Sequence, residues 1–139
     1  MEYAALMARH MFNTVLNQFS EVAYDSIVPV PLHSARLRER GFNQSRELAR
    51  HLSEFSGVPV ASALVRTRPT PSQTRLNRRE RARNIAGAFD VAKTANPLNH
   101  CLVVDDVYTT GATLNECAGV LRNAGATSIH CIAFARAIL

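Results

Sequence analysis

The sequence lacks the long hydrophobic runs and the paired cysteines of membrane-spanning or disulfide-stabilised proteins. Among its 139 residues, no apolar stretch approaches the roughly 20 residues that a membrane-spanning helix needs. The chain does not open with a basic region and an apolar core, as a signal peptide does. Its three cysteines, Cys101, Cys117 and Cys131, are scattered and form no Cys-x-x-Cys pair. We therefore expect a cytoplasmic protein with reduced, buried cysteines and no membrane insertion.

Low-complexity segments are also absent, and the composition is that of a folded protein. Hydrophobic residues make up 47% of the chain and charged residues 19%, which permits a sizeable core without metals or disulfides. The length suits one domain. We predict a single domain over residues 1–139, with an N-terminal helix within residues 1–25 and a ligand-binding core over residues 26–139.

Positive charge is concentrated in one part of the sequence. Residues 36–83 contain twelve arginines and four acidic residues, a net charge of +8, whereas the whole chain carries +5. Arginine favours planar, bidentate contacts with phosphate or carboxylate groups. The sequence therefore indicates a partner that carries phosphates, either a small molecule or a nucleic acid.

Helical and strand patterns alternate along the chain. Helices are predicted over residues 2–20, from the N-cap Asn43 to about residue 55, and from residue 114 to a C-cap at Gly125. Strands are predicted over residues 27–31, 63–66, 100–105 and 128–135. Residues 67–83 are predicted to form a mobile, arginine-rich surface loop that runs into a short helix near residues 77–83. The alternation predicts an α/β fold with a central, mostly parallel sheet flanked by helices.

Two acidic residues end one predicted strand and precede a threonine-rich turn. Asp105 and Asp106 follow the apolar run, and residues 109–113 read Thr-Thr-Gly-Ala-Thr. Ligands of parallel sheets bind beyond the carboxyl ends of the strands, and a helix that begins there offers unpaired N–H groups to a phosphate. The carboxylates suit sugar hydroxyls and Mg²⁺. The segment predicts a ribose 5-phosphate site; the alternative is that the acids only terminate a strand and Thr113 only caps a helix.

Residues 103–113 resemble the signature with which type I phosphoribosyltransferases bind 5-phosphoribosyl-1-pyrophosphate (PRPP). That family has a parallel sheet core, a hood and a mobile loop, and it uses Mg²⁺ with PRPP. The resemblance implies that Asp105 and Asp106 face the ribose hydroxyls and hold Mg²⁺, directly or through the ligand. It assigns the 5-phosphate to Thr109, Thr110, Gly111, Ala112 and Thr113.

Further strings are similar to the competence protein F (ComF) family, which is type I phosphoribosyltransferase-like. They read VPVPLH over residues 28–33, RGFNQS over 40–45 and RTRPTPSQ over 66–73, and with residues 78–84 and the PRPP motif they extend over about residues 27–136. ComF proteins usually carry an N-terminal cysteine-rich, zinc-binding segment, yet no cysteine precedes Cys101. We expect no zinc in this chain, as in a truncated or short member of the family.

The resemblance also implies a pyrophosphate site in a short loop after the first strand. Leu32 and His33 stand in that loop, and Arg40 follows it. Arg78 and Arg79 belong to the segment that closes over PRPP in type I enzymes. A lone histidine beside a loop is more often structural than catalytic, so we assign no catalytic residue.

Two functions stay open on the sequence. The first is Mg²⁺-dependent transfer of ribose 5-phosphate from PRPP to an unknown nitrogen nucleophile, with release of pyrophosphate. The second is a competence or DNA-uptake factor without turnover, which binds single-stranded DNA or uses PRPP as a regulatory ligand. Such a factor is expected to meet DNA-uptake or helicase proteins. The arginines suit either function, and a homodimer is a further expectation.

Overall fold

The elements of the fold follow one another in α/β order. The computed structural model describes residues 3–69, 77–93 and 98–137. Within them the order is α1 (Ala4–Phe19), β1 (Ser26–Pro29), α2 (Ser34–Arg40), α3 (Gln44–Ser56), β2 (Leu64–Arg66), α4 (Arg78–Ile85), β3 (Phe89–Val91), β4 (His100–Tyr108), α5 (Ala112–Asn123) and β5 (Ser128–Arg136).

A three-stranded parallel sheet lies at the centre, in the order β1–β4–β5. Val103 of β4 pairs with Val28 on one side and with Cys131 on the other. On the outer side of β1, Val60 forms a further parallel bridge with Ile27. β2 and β3 form a separate antiparallel pair. The predicted α/β fold with a central parallel sheet flanked by helices is therefore confirmed.

Apolar side chains on the two faces of the sheet build two core clusters. α1 and α3 cover one face, where Leu48 and Leu52 pack with Leu102 and Val104 of β4. α5 covers the other face, where Cys117 and Leu121 pack with Val103. β4 contributes alternate residues to both clusters because successive side chains of a strand point to opposite faces. The strand that carries the two acids is thus buried on both faces from Cys101 to Val104, just before the acids.

The helix that follows the first loop shows how the sequence sets local structure. Asn43 is the N-cap of α3, and its side-chain oxygen accepts hydrogen bonds from the backbone N–H groups of Ser45 and Arg46. Leu48, Ala49 and Leu52 form its buried stripe. The helix ends at Ser56, before a glycine that adopts a left-handed conformation. The prediction for this helix is confirmed.

Two elements, α2 and β3, were not predicted from the sequence. The basic segment after β1 forms α2, whose residues are all described and none buried, so no apolar stripe marked it in the sequence. Caps define it instead: Nδ1 of His33 accepts from the Ala35 N–H at 3.2 Å, and Gly41 ends the helix with φ 78°. β3 has three residues and is too short to carry a pattern.

Several predicted boundaries are wrong. β4 continues to Tyr108, because pairing with β5 extends to Tyr108 and Arg136, so Asp105 and Asp106 lie within the strand. α5 begins at Ala112, so Ala112 and Thr113 belong to its first turn. The C-cap of α5 is Ala124 rather than Gly125. Hydrogen bonding between strands and the close of the preceding turn set these limits, and neither is visible in local composition.

Some predictions fall outside the described residues. They are the start of the first helix at residue 2 and residues 70–76 of the predicted mobile loop. Within the part of the chain that the structure describes, no helix has the length and apolar character needed to span a membrane.

Candidate functional site

A polar pocket of about 320 Å³ opens at the carboxyl ends of β1 and β4. Two aspartates and three arginines are among the side chains that line it. The described residues that line it are Val30, Pro31, Leu32, Arg36, Arg40, Asn43, Gln44, Ser45, Arg66, Asp105, Asp106, Val107 and Thr113. We call it the acid–arginine pocket. Its position agrees with the rule that ligands bind beyond the carboxyl ends of parallel strands.

We call Asp105 and Asp106, in the carboxyl-terminal half of β4, the acidic wall. Oδ1 of Asp105 accepts two hydrogen bonds, from Oγ of Ser45 at 3.0 Å and from the N–H of Asp106 at 2.9 Å. Burial raises the pKa of Asp105 to about 7, and a hydrogen bond with Asp106 and its negative charge act in the same direction. The two donors on Oδ1 only partly offset these effects. A group that neutralises the acidic pair would therefore be favoured in the pocket.

The basic wall contains Arg36 and Arg40 from α2 and Arg66 from the end of β2. The Arg66 guanidinium carbon lies 5.0 Å from the centre of the Phe89 ring, a cation–π contact across the β2–β3 pair. Burial lowers the pKa of Arg66, and the nearby positive charge of Arg36 lowers it further. Two like charges that face one pocket favour an anion between them.

The threonine turn brings the start of α5 beside the pocket. Gly111 adopts φ 83°, and a Cβ built there would lie 2.9 Å from the hydroxyl of Tyr108. The left-handed backbone therefore favours glycine, and an alanine would in addition displace the Tyr108 ring. Gly111, the N-cap of α5, has no side chain to cap the helix, and Oγ1 of Thr110 accepts only a long hydrogen bond, 3.4 Å, from the N–H of Ala112. The N–H groups of the first turn can therefore be offered to a ligand.

The structure brings together only some of the residues predicted from the sequence. Asp105, Asp106, Thr113, Leu32 and Arg40 line the pocket. The other turn residues lie next to it in the chain but are not among its described lining residues; they are Thr109, Thr110, Gly111 and Ala112.

His33 and the α4 arginines stand elsewhere. His33 caps α2 through Nδ1 and is absent from the described lining, which suits a structural role. Arg78 and Arg79 are exposed in the first turn of α4, and they too are absent from the described lining. A pyrophosphate contact by His33, Arg78 or Arg79 stays a prediction.

Sequence reasoning gave no role to Arg66 or Ser45. Arg66 follows three apolar residues and ends a short strand. That position, a charged residue at the carboxyl end of a strand, is the one local feature that could have marked it as a site residue. Ser45 lies 60 positions from Asp105 in the chain, and only the tertiary fold brings the two together.

Hydrogen bonds hold the arginine-rich segment, residues 67–83, to neighbouring parts of the chain at its start and just after its end. Nη2 of Arg68 donates to the carbonyl oxygens of Asn84 at 2.8 Å and Ala86 at 2.9 Å. Oε1 of Glu116, on α5, accepts from the N–H of Gly87 at 2.9 Å. α4 begins with a capping box formed by Asn77 and Glu80. The described part of the segment is therefore an ordered helix packed beside α5.

A helix terminus and acidic side chains at the carboxyl edge of a parallel sheet are found in a large class of α/β proteins, many of which bind phosphates there. Comparison with known families narrows the class. Residues 37–138 match the phosphoribosyl transferase domain family, and the chain belongs to that family.

Named relatives agree with this assignment. The chain is 38% identical over 116 residues to competence protein F of Haemophilus influenzae. The match covers 81% of this chain and 51% of that protein. It is also 38% identical to the DNA utilization protein YhgH of Salmonella typhi, over 93% of this chain and 58% of that protein. The chain thus spans about half the length of these relatives. The resemblance to the ComF family is confirmed.

A solved structure supports the fold. The crystal structure of an adenine phosphoribosyltransferase matches 94% of this chain and 68% of its own, with a TM-score of 0.58 and 15% identity. At that identity the match shows the fold alone, and it confirms the predicted type I phosphoribosyltransferase-like fold.

We expect Gly111→Ala to destabilise the protein by about 1–2 kcal/mol, because an alanine strains the left-handed backbone and meets Tyr108. Gly119→Ala is the matched control. Gly119 lies inside α5 with open space around its Cβ position, so alanine is expected to stabilise by about 0.5–1 kcal/mol. Urea denaturation measures both changes. Equal signs for the two variants would contradict this account of the turn.

Asp105→Asn is expected to stabilise the ligand-free protein at neutral pH. Because the folded-state pKa of Asp105 is about 7, above that of an unfolded aspartate, the wild type loses stability as pH rises from about 4 to 7. Asparagine has no proton to lose and escapes that penalty. Denaturation curves at pH 4.5 and pH 8 should show the variant gaining about 1–3 kcal/mol relative to wild type. A difference that does not change with pH would refute this.

Proposed function

We propose that this chain binds PRPP with Mg²⁺ in the acid–arginine pocket and transfers ribose 5-phosphate to a nitrogen nucleophile, with release of pyrophosphate. One observation carries the proposal: two acidic side chains and three arginines line a single pocket in the carboxyl-terminal region of β4, beside the start of α5. PRPP has a matching arrangement, with a sugar diol flanked by phosphate groups at both ends.

The two ends of the ligand have distinct partners in this proposal. The 5-phosphate binds the N–H groups at the start of α5, where the helix dipole also favours negative charge. The ribose hydroxyls donate to Asp105 and Asp106. The pyrophosphate lies against Arg36, Arg40 and Arg66, with the Pro31–Leu32 loop beneath it. Arg66 is included among the pyrophosphate ligands because it lines the pocket, although the sequence gave it no role.

The donor set of the acidic wall fits Mg²⁺. Asp105 and Asp106 supply carboxylate oxygens, which Mg²⁺ prefers, and a cation would offset the burial and the neighbouring negative charge that raise the pKa of Asp105. Within the described residues, no three His, Cys, Asp or Glu side chains cluster so as to hold a metal by themselves. Mg²⁺ would therefore share its coordination with ligand phosphates and water, and when bound it would neutralise charge on pyrophosphate.

Catalysis in this site rests on positioning and charge stabilisation rather than on a covalent intermediate. Pyrophosphate leaves C1 of the ribose with its electron pair as the nitrogen of the acceptor forms the new bond. The arginines stabilise the negative charge that develops on the leaving group. The acidic wall orients the ribose, so that the acceptor meets C1 in a fixed geometry.

Calorimetric titration with PRPP and Mg²⁺ tests the proposal. Wild type is expected to bind, and Arg66→Ala to bind about tenfold or more weakly, since a charge-assisted hydrogen bond contributes about 1.5–3 kcal/mol. Arg122→Ala, on the exposed last turn of α5, is the matched control and should bind like wild type. Absence of wild-type binding, or equal binding by Arg66→Ala, would contradict the proposal. Binding without pyrophosphate release, across a panel of amines and bases, would instead favour PRPP as a regulatory ligand.

Single-stranded DNA is a second candidate ligand. Two observations favour it: residues 36–83 carry a net charge of +8, and relatives are named for competence and DNA utilization. Arg38 and Arg46 are exposed and are not among the described residues that line the acid–arginine pocket. They could contact a nucleic acid backbone while the pocket holds another ligand.

Fluorescence anisotropy with a labelled single strand distinguishes the two ligands. If DNA binds, Arg38→Ala/Arg46→Ala should weaken DNA binding and reduce its salt dependence. The log–log slope should fall by about 0.7 for each phosphate that the variant no longer neutralises. PRPP affinity should not change in that variant. Absence of DNA binding at low salt would remove this candidate, because phosphate contacts are strongest there.

A further inference from the structure

We propose that Ser45 is a positioning residue, which orients the Asp105 carboxylate toward the ribose and ties the acidic wall to the Pro31–Leu32 loop. The inference rests on the proposed function. Ser45 is the last residue of the RGFNQS string, and the proposed function gives it no role. Ser45 is the second residue of α3, and it is 4% exposed.

The geometry at Asp105 defines what the serine does. Oγ of Ser45 donates to Oδ1 at 3.0 Å, and the N–H of Asp106 donates to the same oxygen at 2.9 Å. A carboxylate oxygen has two lone pairs, and both are used here. These two donors therefore orient the carboxylate through Oδ1 before a ligand arrives. Oδ2 is left as the oxygen that a ribose hydroxyl would reach, in place of the side-chain hydrogen bond with Asp106.

Ser45 is itself held in place by its neighbour Asn43. Oδ1 of Asn43 accepts from the N–H of Ser45 at 3.0 Å, and Nδ2 of Asn43 donates to the carbonyl oxygen of Val30 at 3.1 Å. Val30 directly precedes the Pro31–Leu32 loop. One turn at the start of α3 thus connects the two parts of the pocket that would hold the ribose and the pyrophosphate.

The opposite end of the sheet supplies a matched comparison. Ser26 is 1% exposed, and its Oγ donates to Oδ1 of Asp25 at 3.0 Å. Asp25 also accepts from the N–H groups of Asn99 and His100, at the amino end of β4. Both serines are buried and donate to an aspartate at the same distance. They differ in location, because only Ser45 lies at the acid–arginine pocket.

Titration of Ser45→Ala, Ser26→Ala and wild type with two probes tests the role. The probes are PRPP with Mg²⁺ and, without Mg²⁺, inorganic pyrophosphate, which lacks the ribose and whose binding then does not depend on a cation held by Asp105. Ser45→Ala is expected to lose about three- to tenfold in PRPP affinity, the worth of one hydrogen bond, and to keep its pyrophosphate affinity within about twofold. Ser26→Ala should bind both probes like wild type. In Asp105→Ala protein, titrated at higher PRPP concentration, adding Ser45→Ala should cause no further loss.

Four results would overturn the inference, and the first two separate it from the proposed function. If wild type binds PRPP and Ser45→Ala binds it equally well, Ser45 has no positioning role while the proposed function stands. If wild type does not bind PRPP, both fail. Equal losses for PRPP and pyrophosphate in Ser45→Ala would show a general structural effect. A further loss in the Asp105→Ala background would show that Ser45 does not act through Asp105. Thermal denaturation of each variant confirms that it is folded.

Discussion

The pairing of β4 between two parallel strands is the constraint on which the rest of the structure depends. It aligns the carboxyl ends of β1, β4 and β5 at one edge of the sheet, with helices packed on both faces of β4. The two acids in the carboxyl-terminal half of β4 therefore lie next to the loop that follows β1 and the start of α5. The remaining groups of the pocket are brought to them by α2, α3 and β2.

The pocket holds charges that oppose folding when no ligand is present. Burial and the neighbouring acid raise the pKa of Asp105, while burial and Arg36 lower the pKa of Arg66. Both shifts mean that the folded, ligand-free site disfavours its own ionised groups. A ligand that brings a divalent cation to the acids and phosphates to the arginines would satisfy both walls at once. Such a conflict between stability and binding is common where a site is prepared for a charged ligand.

Local patterns in the sequence predicted much of this fold and the acidic part of the site. The apolar run before Asp105, the threonine turn and the helix after it form one continuous segment, so their arrangement follows from neighbouring residues. The N-cap Asn43 and the stripe of α3 are equally local. By contrast, α2 buries none of its residues and is defined by its caps, and β3 is too short to show a period.

Of the basic residues in the site, Arg40 was predicted from the sequence, whereas Arg66 could not be, because its place depends on tertiary packing. Arg66 reaches the pocket from the end of β2 and is supported by Phe89 on the partner strand. Ser45 meets Asp105 across 60 positions of the chain. The sequence pointed instead to Arg78 and Arg79, which stand exposed on α4. Composition located the positive charge but did not show which arginines turn toward the acids.

A crystal structure of the protein with PRPP and Mg²⁺ tests the central claim most directly. The account predicts ribose hydroxyls at Asp105 and Asp106, the 5-phosphate at the first N–H groups of α5, and pyrophosphate between Arg36, Arg40 and Arg66. PRPP bound away from the acid–arginine pocket, or bound there with its phosphates turned from the arginines, would contradict it.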